Sequence, residues 1–339
     1  MGLLNGRLLA AGILAAGTGF MAAPAAAEAA KCGTIDTITV EQMSWFSGGV
    51  MAFVTKKILE EGYGCKVQLQ PGDTVPTAST MLTRGRPDIA PEMWISLIPD
   101  VWERIEKSGK YFVAGQLYTN GGILGWWVPA YVAKEHPQLK SISDLKDNWK
   151  LFVEPGQPNK GRLYNGPPGW GGSVVTANLF KALDLGKTFE LFSAGSGANL
   201  QAAIARKVAQ KQAIVTFYWE PTAVISRYNL VRLDTPPYDS QEYACLSQTD
   251  CADPQVTGWQ TTRIDIAVAT PLKQSAPALV DFLSKMQIPN EAMNKVLAWG
   301  DSNHASLQDT AEYFFKTYPQ VWTQWMPAKA VEAIKTSLK

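Results

Sequence analysis

Thr37-Ile38-Thr39-Val40, then apolar residues at helical spacing over 48–61 halted by Gly62, then the strictly alternating Lys66-Val67-Gln68-Leu69: this stretch decides the fold. It reads as strand, helix, strand, because the apolar period changes from 2 to 3.6 and back. Working outward, Pro76 to Arg84 predicts a short helix capped by Thr77. Asp88-Ile89-Ala90 predicts a strand ending in a loop with Trp94, and a helix is expected from Pro99 to Lys107. Strands and helices in alternation argue for α/β architecture, a parallel sheet covered by helices.

The remaining chain keeps this habit. Ile123 to Val128 is an apolar run ended by Pro129, and Ser143-Asp144-Leu145-Lys146 starts a helix. Leu151-Phe152-Val153 opens a new sheet. Helices are expected over 173–185, closed by Gly186, and over 197–209, with a strand from Ala213 to Tyr218. Residues 234–258 are polar and irregular, Ile264 to Ala269 is a strand, and everything after Pro271 reads as helices. The two apolar strands 123–128 and 264–269 are placed to join two α/β lobes as hinge strands. The first lobe is then 32–125 plus 268–339, the second 126–267, and a ligand would bind in the cleft at the carboxyl ends of strands.

Residues 1–30 carry Arg7, an apolar stretch over 8–21 and Ala25-Ala26-Ala27, the pattern of a cleaved export signal. The stretch is short of the ~20 residues that span a bilayer. Lys31 before Cys32 fits a lipoprotein anchor poorly. The mature chain of about 310 residues suggests roughly two domains and a monomer in the periplasm. A net charge of +1 with interspersed signs gives nucleic-acid binding no electrostatic support.

Four cysteines in an exported chain allow three disulfide pairings. Neighbour pairing is expected. Cys245 and Cys251 bracket a polar loop, and Cys32 and Cys65 each precede an alternating run, as if at the starts of adjacent parallel strands. Zinc is the competing reading. The spacing fits no compact Cys-x-x-Cys site, only His136 and His304 are left to assist, and no metal or cofactor is expected.

Three tryptophans sit in strand-end loops: Trp94 after Ala90-Pro91-Glu92-Met93, Trp170 in Gly166-Pro167-Pro168-Gly169-Trp170-Gly171-Gly172, and Trp219 in Tyr218-Trp219-Glu220-Pro221. A single such tryptophan is more often core filling. Three together suit a fully methylated nitrogen, which has no N–H to donate and spreads its positive charge over methyl groups. Aromatic faces match it, being apolar yet negative in quadrupole. A primary amine there would lose its water and gain no acceptor. Gly171 and Gly172 begin a helix, where free N–H groups bind anions. A carboxylate there would lie beside Trp170. Trp45, after the first strand, is a fourth candidate wall. Trp126 and Trp127 point to opposite faces of a strand, so the expectation is one toward the cleft and one toward a core. Trp259, Trp299, Trp322 and Trp325 read as structural.

An enzyme or sensor lobe acting on methylated amines is the reading from another class. The chain has no Gly-x-Ser-x-Gly, no His-Glu-x-x-His and no phosphate loop. Two histidines leave little for general base work. Glu92, Glu154 and Glu220 lie near the tryptophans, as partners for arginines or for a cation, with no acid–base role assigned.

In Gly166 to Gly171, in Tyr218-Trp219-Glu220-Pro221 and in the spacing of Trp94 from both, the chain resembles the substrate-binding proteins of glycine betaine/proline betaine ABC importers. The resemblance covers essentially all of the mature chain. It implies a two-lobed periplasmic binding protein fold, type II-like, with two hinge strands. It also implies a prism of Trp94, Trp170 and Trp219 around a trimethylammonium group, with the Gly171 and Gly172 amides on the carboxylate. The implied partners are a small quaternary-ammonium ligand and a membrane permease with its ATPase. Two departures stand out. Ile98 replaces a histidine that some members place four residues after the first prism tryptophan. Trp45-Phe46-Ser47 lacks the aspartate of choline-specific relatives, which leans toward a betaine; choline, carnitine and trimethylamine N-oxide are the alternatives.

Overall fold

The computed structural model describes Cys32 and residues 35–338; the expected leader lies outside the described residues. In chain order the first part is β1 (Ile38–Met43), α1 (Phe46–Lys57, extended by a π-turn to Gly62), β2 (Val67–Gly72), α2 (Thr74–Arg84), β3 (Ile89–Met93), α3 (Pro99–Lys107) and β4 (Tyr111–Gln116). The middle is β5 (Ile123–Pro129), α4 (Ala130–Glu135), β6 (Val153–Glu154), β7 (Gln157–Asn165), α5 (Gly171–Ala182), β8 (Phe189–Ser193), α6 (Gly197–Ala209), β9 (Val215–Glu220), α7 (Ala223–Arg227), β10 (Leu230–Arg232) and α8 (Ser240–Leu246). The chain closes with β11 (Asp265–Ala269), α9 (Leu272–Ser275), α10 (Pro277–Lys285), α11 (Asn290–Ser302), α12 (Leu307–Thr317), α13 (Pro319–Trp322) and α14 (Ala328–Ser337).

Two sheets result. The first has the order β2-β1-β3-β11-β4 and the second β10-β5-β9-β7-β6, with β8 beside β7. β1 is parallel to β2 and β3, as the opening stretch predicts. The first sheet is mixed rather than purely parallel, because β11 returns from the second lobe antiparallel to β3 and β4. The strands placed at the crossing do not themselves pass between sheets: β5 lies in the second from Ile123 and β11 in the first from Asp265. The connecting segments precede them and pair at Gly122 and Thr262, whose backbones exchange hydrogen bonds of 2.7 and 3.0 Å.

Several boundaries move. α2 begins at Thr74 with Asp73 at its cap position, not with Thr77, because Thr77 turns inward to donate its hydroxyl to Glu41. Ser141 and Asp144 form a capping box for a short 3-10 turn, Ile142–Lys146, where a helix is expected. α8 occupies part of the polar stretch 234–258. Both expected disulfides are present, Cys32–Cys65 with Cα atoms 5.4 Å apart and Cys245–Cys251 with 5.2 Å. No described helix is long and apolar enough to cross a membrane.

Glu41 on β1 is buried, and its Oε2 has no partner among the described residues. Burial pushes its carboxyl up to about 7 from an ordinary 4.5, against the pull of the Thr77 hydroxyl and with a push from Asp73. A carboxyl raised in the folded state contributes stability below pH 4.5 and loses it as pH climbs through 7. Glu41→Gln should therefore match the parent near pH 4.5 and exceed it at pH 8, by up to about 3 kcal/mol. Melting temperatures of both proteins across that range check this; parallel pH profiles would refute it.

Candidate functional site

Trp45, Trp94 and Trp170 each occupy the residue just before a helical turn, where backbone dihedrals leave the helix and the side chain splays from its start. Trp45 and Trp94 lie just past the carboxyl ends of β1 and β3. Trp219 lies inside β9 instead of in a loop, opposite Leu124 of β5. The expected strand stops two residues short because the aromatic run 217–219 gives no polar alternation, and the ladder continues to Glu220.

All four rings line one cavity, together with Gly171, Gly172, Leu97, Leu124, Phe217 and Thr74. Its empty space is small, about 280 Å3 counting the part open to solvent. The Trp170 ring stands perpendicular to two others, with centroids 6.0 Å from Trp45 and 5.0 Å from Trp219. Thr74 carries the one hydroxyl among these side chains; the rest are aromatic, aliphatic or glycine. A larger cleft of about 1070 Å3 shares the Trp45, Trp170 and Trp219 wall and reaches Gln201 and Asp301.

Gly171 and Gly172 are the first two residues of α5, so their N–H groups have no carbonyl one turn back. Their lack of a side chain is required by packing. A Cβ on Gly172 would lie 2.3 Å from Phe217 Cζ, and one on Gly171 2.7 Å from Leu97 Cβ. Gly122 has the same role at the crossing, where a Cβ would lie 2.5 Å from the Trp94 ring.

The polar groups behind the rings come from the first lobe. The Trp45 indole donates to Glu92 Oε1 at 2.6 Å and the Trp94 indole to the same oxygen at 3.3 Å. Ser47 Oγ donates to it at 2.8 Å, and Tyr118 donates to Oε2 at 2.7 Å. Burial pushes the Glu92 carboxyl up, and these four bonds pull it back. Trp170 donates across the cleft to Ser44 Oγ at 2.8 Å and Asp73 Oδ1 at 3.0 Å. The Trp219 N–H is buried and unpaired among the described residues.

Two further first-lobe carboxylates accept from the second lobe. Asp301 on α11 takes the Gln201 amide at 2.6 Å and the Arg227 guanidinium, and Asp100 takes the Gln248 amide. Ile98 lines a separate groove with Asp100 and Gln248, not the cavity. Glu154 is remote on β6, paired with the buried Lys207 at 2.8 Å. Trp126 and Trp127 do not line the cavity: both are buried, their indoles bonded to Thr176 and to the Tyr218 carbonyl. Ser44, Asp73, Leu97 and Phe217 are the residues that sequence reading left without a role, and Glu92, expected as a partner for an arginine or a cation, instead accepts from two indoles. Glu92 alone carried a signal, two residues before Trp94.

A family model for the substrate binding domain of the ABC-type glycine betaine transport system matches residues 36–317. The trimethylamine N-oxide-binding protein of Pelagibacter ubique (strain HTCC1062) is 25% identical over 244 residues, 68% of this chain and 74% of that one. Lactococcal OpuAC, closed on glycine betaine, is similar in structure with a TM-score of 0.67 at 18% identity, over 86% of this chain and 100% of its own. An ABC-transporter choline binding protein in complex with choline reaches 0.70 at 16% identity, over 90% and 98%. These structures share the two-lobed fold. The match over most of its length places the chain in the family of substrate-binding domains of ABC-type glycine betaine transport systems.

Proposed function

We propose that this protein is exported, takes up glycine betaine or proline betaine between its lobes, and presents it to a membrane permease with its ATPase. One observation carries the reading: four indole rings from both lobes line one small cavity that also meets the first turn of α5. The rings suit the methylated nitrogen. The free amides of Gly171 and Gly172 suit the carboxylate. Ile98 lies outside the cavity, so the carboxylate would rely on those amides and on the unpaired Trp219 N–H.

A second reading is trimethylamine N-oxide, favoured by the name of the 25% identical relative and by the small cavity. Its single oxygen needs fewer donors than a carboxylate. Tryptophan-fluorescence titration and calorimetry against glycine betaine, proline betaine, choline, carnitine, trimethylamine N-oxide, glycine and lysine test both. Micromolar binding of a betaine and none of glycine or lysine is expected, with the ligand recovered unchanged. Micromolar binding of an unmethylated amino acid, with none of any methylated compound, would sink the ligand class. Chemical conversion of the ligand would move the protein to the enzymes.

A further inference from the structure

Glu92 is fully buried, and no cation among the described residues acts on it: burial and four hydrogen bonds are the influences on its carboxyl. An indole N–H can only donate, so the bonds from Trp45 and Trp94 make Oε1 an obligate acceptor. A proton could sit only on Oε2, where the Tyr118 hydroxyl 2.7 Å away would turn to accept it. Four donors suit the carboxylate, while burial without a counter-ion among the described residues favours the neutral acid, so a cation in the cavity would stabilise the charged form. The same two indoles are walls of the cavity. Their N–H edges point at the anion, so its field adds to the negative faces that a ligand meets.

We propose that Glu92 is a specificity-determining residue, the buried counter-charge that a quaternary nitrogen meets through the rings of Trp45 and Trp94. The idea rests on the functional reading above. A carboxylate one ring width from the nitrogen, roughly 7–10 Å, at an effective dielectric of about 20, favours a cation by a factor of roughly 15–50. Glu92 thus separates positive ligands from neutral ones of the same shape, which apolar walls alone do poorly.

The test compares a methylated ammonium with the isostere whose quaternary nitrogen is replaced by carbon: choline against 3,3-dimethylbutan-1-ol, and glycine betaine against 3,3-dimethylbutanoate. The wild-type protein should bind each ammonium far more tightly than its isostere. Glu92→Gln keeps the volume and an acceptor for the indoles, and should shrink that ratio about tenfold or more. Tyr118→Phe removes one donor from the carboxylate, leaves both indole bonds, and should shrink it by a smaller factor; it decides the matter if Glu92→Gln does not fold. Equal loss of affinity for both members of each pair would make Glu92 a scaffold for the rings and overturn the proposal. Failure of the wild-type chain to bind any methylated ammonium would instead remove the functional reading, and this proposal with it.

Discussion

Alanine in place of Trp219 should weaken ligand binding by at least roughly 25-fold, the equivalent of about 2 kcal/mol of contact with a desolvated cation. The ring has two surroundings. One side lines the cavity and stands 5.0 Å from Trp170 at 88°; the other stacks on Tyr218 at 4.5 Å. Only 7% of the residue is exposed, so some stability is lost as well. A residue that served packing alone would cost about 3–5 kcal/mol of stability on truncation and leave affinity intact. Melting temperature and affinity, measured on the same Trp219→Ala preparation, separate the roles. Trp219→Phe should lose less affinity, since an aromatic face remains. Lost stability with unchanged affinity would take Trp219 out of the site.

The second large effect concerns the Cys32–Cys65 bridge. Replacing both cysteines by serine should cost about 4 kcal/mol, the loop-closure entropy of a bridge spanning 33 residues. Its position makes it matter. β2 is an edge strand with one neighbour, and the bridge ties the approach to β2 to the approach to β1. For a chain of this size the loss should lower the melting temperature by roughly 6 °C. The shorter Cys245–Cys251 bridge, spanning 6 residues, should cost about 2.4 kcal/mol. Peptide mass mapping of the oxidised protein verifies the pairing first. An unchanged melting temperature in the double serine variant would contradict the argument.

What the sequence announces and what it conceals follow from physical pattern. β1, α1 and β2 are legible because each buries one face and repeats at its own period. β4 and β7 are not. β4 is mostly half-exposed along its length and contains Gly115, which lies flat against the Ser284 carbonyl. β7 begins with four exposed residues, so its apolar half is too short to show a period. The aromatic walls are legible by type, since few residues suit a methylated cation. The groups that hold the walls are not. Ser44 and Asp73 read as ordinary turn residues, and only the fold brings them to Trp170 from the other lobe. Glu92 sits two positions from Trp94, but Trp45 and Tyr118 reach it from 47 and 26 residues away.

The contacts that bridge the cleft share a polarity. Asp73, Asp100 and Asp301 all belong to the first lobe, and every donor they accept comes from the second or, in Ser44, from the adjoining loop. Any opening wide enough to admit a ligand removes the second-lobe donors and leaves three carboxylates facing the gap. A diffusing cation then meets an attractive field at the mouth, which speeds encounter and fades with added salt. Once the lobes meet, Arg227 neutralises Asp301 and the neutral donors of Trp170 and Gln248 cover the other two carboxylates, so the field weakens. The rim thus acts on the association rate of positively charged solutes, and a zwitterion with no net charge gains little from it.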